Sequence, residues 1–328
     1  MPRSRIFKLF VLTMVSAIII VSAIGTGVTS TITKAETEDK EFTSTQAQEY
    51  YMHEDEIQQY NDQKLLKSKQ DMFLKTQQLK TNEQKKQKLE EEIKAYLASN
   101  MDNVGLSYYD INSGSEITIN GDKTFLAAST VKVQMNIVLA DLIKGGQISK
   151  DEALKYTDAF YEEGTGILQG QELTTPIPLT LLSKYSIVYS DNIATNMIMD
   201  RIGYEKMRTL IDSKIGHATD HSDNYITAKD ETTLLKLLYE NKDNNSLYNE
   251  LIENMKNTEF HDRMDLYVPQ NLVAHKIGSY DNYVNDVGIV YAKNPYILSV
   301  YTNEVENADE VIAHISQLIY NYQNSISE

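Results

Sequence analysis

The chain has 328 residues, 41% of them hydrophobic, and a formal net charge of −16. Its length exceeds one small domain and its apolar fraction suits a chain with a real core. So acidic a chain is poorly suited to nucleic acid, whose phosphates would repel it, and the absence of cysteine excludes disulfides and thiolate chemistry.

Residues 1–30 read as a targeting segment. Arg3, Arg5 and Lys8 precede an apolar run at 9–28, and acidic residues (Glu36, Glu38, Asp39, Glu41) follow it. About 20 apolar residues can cross a bilayer as a helix. The charge order predicts the N-terminus inside and the remainder on the extracytoplasmic face. An uncleaved membrane anchor through 9–28 and a cleaved signal peptide both fit, since Ala23 and Ala35 follow small residues of the kind a peptidase accepts.

Residues 31–82 form a charged spacer. From 35 onward it lacks Gly and Pro and is rich in Gln, Lys and Glu, which predicts helix. Leu65, Met72 and Leu79 fall seven apart and hint at a coiled-coil seam through which chains could self-associate. The alternate core positions are polar, so a solvated, partly helical spacer stays open as the other reading. Fully helical, it would reach roughly 70 Å.

The third region, 83–328, carries a core pattern. Leu89, Ile93 and Leu97 share one helix face. Alternating runs at 104–109 and 116–119 flank the turn-forming stretch 110–115, a hairpin. Helix-like stretches follow at 129–145, 151–161, 178–189, 191–202, 204–213 and 228–241. Strand-like runs return at 271–276, 283–292 and 296–303, and 308–322 reads as a closing helix. Segregated strands and helices predict an α+β fold: an antiparallel sheet flanked by helices, plus an all-helical lobe.

Three motifs carry chemistry. Ser129-Thr130-Val131-Lys132 opens an apolar helix. A serine there faces unpaired backbone N–H groups and the positive end of the helix dipole, and Lys132 follows one turn later on the same face. A buried lysine holds its proton less tightly and can act as a base. Ser190-Asp191-Asn192 joins two helical runs. Its serine could relay a proton and its asparagine could bind an amide, although Ser222-Asp223-Asn224 repeats the triplet. Lys276-Ile277-Gly278-Ser279 lies on a strand-like run, unlike the decoy Lys214-Ile215-Gly216. There Lys276 adds positive charge, Gly278 allows close approach to the strand, and the Ser279 and Ser129 amides could form an oxyanion hole.

In this order the motifs resemble the signature set of the class A β-lactamases and penicillin-binding serine hydrolases. The flanks "TFLAASTVKVQMNIVLADLI", "YSDNIATNMIMDRIG" and "VAHKIGS" are similar to the corresponding stretches of that family, over about 82–328. The resemblance implies acyl-serine chemistry without metal or cofactor, on a β-lactam or a D-alanyl peptide amide of the cell wall. Ser129 would be the nucleophile and Lys132 its base. Ser190 would pass a proton to the leaving nitrogen, and Lys276 would tune it. Asn192, Gly278 and Ser279 would bind substrate.

The sequence departs from that pattern twice. The glutamate that activates the deacylating water is not found, because the loop before "ITAKDETTLLKLL" looks shortened. Asp220, Asp223 and Glu231 are the nearby carboxylates. Slow release of the acyl group is therefore expected. Ile277 replaces a threonine or serine whose hydroxyl binds the substrate carboxylate, and Arg263 is the one arginine downstream of Arg208. These departures keep open a catalytically weak domain serving as a cell-wall binding or sensing module. His217, Asp220, His221 and Asp223 crowd the shortened loop, where a polar turn is preferred over a metal site. Glu162-Glu163-Gly164-Thr165-Gly166 reads as a glycine loop bordering the cleft.

Overall fold

The structure is a computed structural model and describes residues 44–326. The basic and apolar segment at 1–30 lies outside them. Among the described residues no helix is long and apolar enough to cross a membrane.

Helix α1 (Ser44–Leu97) covers the described part of the spacer and the first residues of the third region. Leu65, Met72 and Leu79 are exposed on it, whereas Leu89, Ile93 and Leu97 are buried. One helix thus changes from solvated to packed where its apolar spacing becomes regular.

A compact unit begins at Asp71. Its centre is a five-stranded antiparallel sheet in the order β2-β1-β9-β8-β7. These strands are β1 (Val104–Asp110), β2 (Glu116–Ile119), β7 (Val273–Tyr280), β8 (Tyr283–Val290) and β9 (Tyr296–Asn303), while β3 (Thr124–Leu126) pairs separately with β6 (Tyr225–Thr227). The expected hairpin is β1–β2, with Leu106 opposite Ile119 and Tyr109 opposite Glu116. Asp110 closes its turn by accepting the amides of Asn112 and Ser113, the local bonding that makes aspartate a turn residue.

Side chains alternate between the two faces of the sheet. One face (Leu106, Tyr108, Leu298, Val300) packs on the end of α1 and on the C-terminal helix α8 (Ala308–Ser325). The other face (Ala274, Val287, Ile289, Tyr301) meets the helical lobe. That lobe holds α2 (Val131–Lys144), α3 (Leu179–Val188), α4 (Asn192–Ile202), α5 (Tyr204–Ile215), α6 (Ala228–Glu240) and α7 (Ser246–Lys256). The architecture is the α+β arrangement expected.

Two local expectations fail. Residues 151–161 are not a helix. Ala153–Leu154 (β4) pairs with Ile177–Pro178 (β5), and Asp158–Phe160 forms one 3-10 turn. Glu152 decides this, because its carboxylate binds Arg201 and its carbonyl accepts the Leu179 amide at 2.8 Å. Tertiary partners override the helix propensity of the segment. Conversely, α7 was not expected. Asn245 caps it through the Leu247 amide, and Tyr248, Leu251, Ile252 and Met255 bury one face, a period that a window centred on 250 would have revealed.

Candidate active site

Ser129 lies in a 3-10 turn, Ala128–Thr130, which leads directly into α2. The turn is tense. Ala128 takes φ +49°, a left-handed conformation that costs a side-chain-bearing residue about 1–2 kcal/mol. Its neighbours hold it there. The Ala127 carbonyl accepts from Thr130 Oγ1 at 2.8 Å and from Asn285 Nδ2 on β8 at 3.1 Å. The Ala127 amide donates to the Asn224 carbonyl at 2.8 Å. Ser129 itself stays half-buried.

Lys132 is buried one turn further along. Its three N–H bonds go to the Ser190 carbonyl at 2.7 Å, Ser190 Oγ at 3.1 Å and Asn192 Oδ1 at 2.8 Å. Burial pulls its pKa down to about 8, against the opposing pull of Glu162 and Asp191. A lysine so placed gives up its proton far more readily than one in water.

The 190–192 loop is strained too, with Ser190 at φ +51°. Asp191 pins it. The carboxylate, fully buried, caps α4 through the Ala194 amide at 2.8 Å. Its other oxygen accepts the amides of Ile167 and Leu168 at 2.7 and 2.8 Å. The glycine loop at 162–166 thus packs against the motif. Thr165 Oγ1 donates to the Ser190 carbonyl at 2.7 Å. Gly166 has φ +130°, and a Cβ there would stand 2.4 Å from Asp191 Oδ2, so only glycine fits.

Lys276 enters from β7, the edge strand. It donates to Ser190 Oγ at 3.0 Å and to the Ile277 carbonyl at 2.8 Å, and lies 5.5 Å from the centre of the Phe260 ring. Complete burial, then the charge of Lys132, lowers its pKa well below the usual lysine range, while Asp286 opposes the shift. Alternation puts Lys276 and Gly278 on the face that carries Ala274, toward the helical lobe. A Cβ on Gly278 would stand 2.7 Å from the Ala127 carbonyl and 3.0 Å from the Ser129 amide. Strand and serine turn therefore touch through the missing side chain, and the Ser279 amide lies one residue beyond that contact.

Ile277 and Ser279 fall on the opposite face. Ser279 Oγ accepts from Arg263 at 2.6 Å. Arg263 is itself spent inside the fold, since it also binds Asp309 and donates to the carbonyls of Gly278 and Asn285 at 3.0 and 2.8 Å.

The structure thus brings Lys132, Ser190, Asn192 and Lys276 into one hydrogen-bonded cluster, with Ser129 and Gly278 against one another beside it. It sets the other singled-out carboxylates apart. Asp220 and Asp223 are exposed on the loop before Tyr225. Glu231 is completely buried behind α2, bonded to Gln134 at 2.8 Å and to Tyr301 at 3.3 Å. Burial raises its pKa to about 7. His217 turns to Asp230, and His221 turns to Asp212 and Glu205, so the histidines of the shortened loop do not converge. Sequence reading missed Asn285 and Tyr301, and gave Thr130 and Glu162 no role of their own. Thr130 Oγ1 lies 3.1 Å from the Tyr301 hydroxyl, a long-range contact that no local pattern announces.

The serine turn, the buried lysine one helical turn on, the second serine between two lysines and the glycine of the edge strand thus meet at one place in the fold. The family model described as beta-lactamase enzyme family matches residues 88–323, and the chain belongs to that family. A curated relative, a beta-lactamase of Proteus vulgaris, is 26% identical over 241 residues, 66% of this chain and 79% of that protein. Among solved structures, the penicillin-binding protein PBP-A is similar with a TM-score of 0.66 at 22% identity, over 71% of this chain and 95% of that one. A variant of PBP-A solved as an acyl-enzyme complex with penicillin G has a TM-score of 0.65 at 23% identity, over 72% and 96% of the chains. A beta-lactamase from Sphaerobacter thermophilus also has a TM-score of 0.65, at 22% identity, over 71% and 96%.

Proposed function

We propose that this protein is an extracytoplasmic serine hydrolase that is acylated on Ser129 by a β-lactam or a D-alanyl peptide amide and releases the acyl group slowly. The observation that carries this reading is the double acceptance of Ser190 Oγ, which takes a hydrogen bond from both Lys132 and Lys276. A hydroxyl that accepts twice keeps its own proton free to donate elsewhere.

Acylation then begins at Ser129. Neutral Lys132 takes the Ser129 proton as Ser129 Oγ bonds to the carbonyl carbon. Backbone N–H groups at the serine turn and edge strand stabilise the oxyanion. As the C–N bond breaks, Ser190 gives its proton to the nitrogen and regains one from a lysine. Release needs a base for water, and no carboxylate among Asp220, Asp223 and Glu231 bonds to this cluster. Slow deacylation follows.

The apolar run at 9–28 supports attachment to, or export across, a membrane. The exposed Leu65, Met72 and Leu79 support a spacer able to self-associate.

The test is labelling of the full chain with a fluorescent penicillin, followed by mass spectrometry. One adduct on Ser129, absent from Ser129→Ala and persisting for many minutes, is expected. An adduct that survives Ser129→Ala would refute the nucleophile, and rapid turnover would refute slow release. A second reading, a binding or sensing module, draws on Lys132 spending all three hydrogen bonds on the 190–192 loop. Reversible binding of the penicillin without any adduct would favour it.

A further inference from the structure

Behind the edge strand, on the face opposite Lys276, lies a second cluster that acyl transfer does not use. His275 and Asp265 are completely buried, and His261 reaches the surface beside them. One ligand atom from each of the three lies within 4.8 Å of the others.

The hydrogen bonds assign the protons. Asp286 accepts the Met264 amide at 2.9 Å and faces His275 Nδ1 with both oxygens, at 3.0 and 2.9 Å. His275 Nδ1 is therefore the donor, and Nε2 is left to face Asp265. That nitrogen has no hydrogen-bond partner although it is buried, and neither has Asp265 Oδ1. Nε2 stands 3.3 Å from Asp265 Oδ2, and the same oxygen lies 2.5 Å from His261 Nδ1. Two carboxylates are thus buried around one imidazole, with its Nε2 and a carboxylate oxygen turned toward each other. A buried arrangement of that kind calls for a positive charge between them.

We propose that His261, Asp265 and His275 form a binding site for a first-row divalent cation of the zinc type. Two imidazoles and a carboxylate are a donor set that suits zinc, with a fourth position left for water. Bonds of 2.0–2.1 Å put tetrahedral ligands roughly 3.3 Å apart, the separation that His275 and Asp265 already show. Asp286 supplies the outer carboxylate that orients a metal-bound histidine. His261, on the rim, completes the site by turning its ring outward from the close contact with Asp265. The cation would tie the 257–272 segment to β7 directly behind Lys276. The rival occupant is a proton on Nε2, which would make His275 an imidazolium between two carboxylates.

The test uses the full chain stripped with a chelator and dialysed. Zinc binding is read by competition against a chromophoric chelator and by native mass spectrometry. One zinc per chain at micromolar or tighter affinity is expected, with a rise in melting temperature. Affinity should fall at least tenfold in His261→Ala, a half-exposed position where folding is spared, and in Asp265→Asn. It should persist in His261→Cys and in His221→Ala. Absence of uptake by the unaltered chain, or an equal loss in His221→Ala, would overturn the proposal. The first outcome would leave the proton as occupant, and neither outcome touches acylation of Ser129.

Discussion

Lys132 and Lys276 share one oxygen: their ammonium nitrogens lie 3.1 and 3.0 Å from Ser190 Oγ, one coming from the helix that follows the serine turn and the other from the edge strand. Two like charges so close and so buried cannot both stay protonated cheaply, because each disfavours the other and water is excluded. Burial is the first cause of the lowered pKa of both, and for Lys276 the charge of Lys132 is the second. The pair is therefore the place in this cluster where a proton is most easily given up.

Acylation should gain from alkali. Lys132 acts as a base only when neutral, and its pKa is about 8. Below that value the neutral fraction rises about tenfold per pH unit, and above it the fraction saturates. The second-order rate of labelling by a fluorescent penicillin should therefore climb from pH 6 and level off near pH 8 to 9. A flat profile over that range would show that Lys132 is not the base.

Asp191 should matter more for stability than its position in a catalytic motif suggests. Three backbone amides, those of Ala194, Ile167 and Leu168, end on its carboxylate. Asp191→Ala strips a helix cap and leaves buried donors unpaired, a loss of about 4 kcal/mol. Asp191→Asn keeps one acceptor oxygen and should lose about half as much. Urea unfolding of both variants measures this, and equal stabilities would show that the contacts carry little energy.

Gly278→Ala should slow acylation without unfolding the protein. The added methyl would meet the Ala127 carbonyl at 2.7 Å and the Ser129 and Thr130 amides at 3.0 Å. Strand and serine turn must part by several tenths of an ångström, at the place where the attacking oxygen is aimed. Small displacements of that kind cost on the order of tenfold to a hundredfold in rate. Labelling kinetics alongside a melting curve separate the two effects. A rate loss matched by an equal loss of folded protein would refute the geometric cause.

The motifs were legible because their chemistry is local. A serine three residues before a lysine at a helix start, and a glycine two residues after a lysine on a strand, are visible in one dimension. What assembles them is not. Asn285 reaches from β8 to the serine turn, and Asp191 holds a loop some 24 residues earlier in the chain. Those partners are set by topology, which sequence periodicity does not encode. The failure at 151–161 has the same origin, since Glu152 answers to Arg201 rather than to its helical neighbours. The cluster of His261, Asp265 and His275 stayed hidden for a related reason, because the irregular segment before β7 folds back to set His261 and Asp265 against His275.

Glu231 leads to the last prediction, a stability that falls as pH rises. Its carboxyl is completely buried, and one of its oxygens has no hydrogen-bond partner. Burial lifts its pKa from 4.5 to about 7, despite the hydrogen bonds from Gln134 and Tyr301. A carboxyl whose pKa is raised by folding binds its proton more tightly in the folded state. Its contribution to stability is therefore complete below about pH 4.5 and is lost as pH climbs through about 7. A shift of this size corresponds to about 3 kcal/mol. Glu231→Gln keeps the shape and an acceptor for Gln134 but carries no charge to bury. It should be more stable than the unaltered chain above pH 7, by up to that amount, and match it near pH 4.5. Urea midpoints at pH 5 and pH 8 give the measurement. A variant destabilised equally at both pH values would mean that Glu231 is ionised and paired, and that the Glu231, Tyr301 and Thr130 contacts behind the serine turn need its charge.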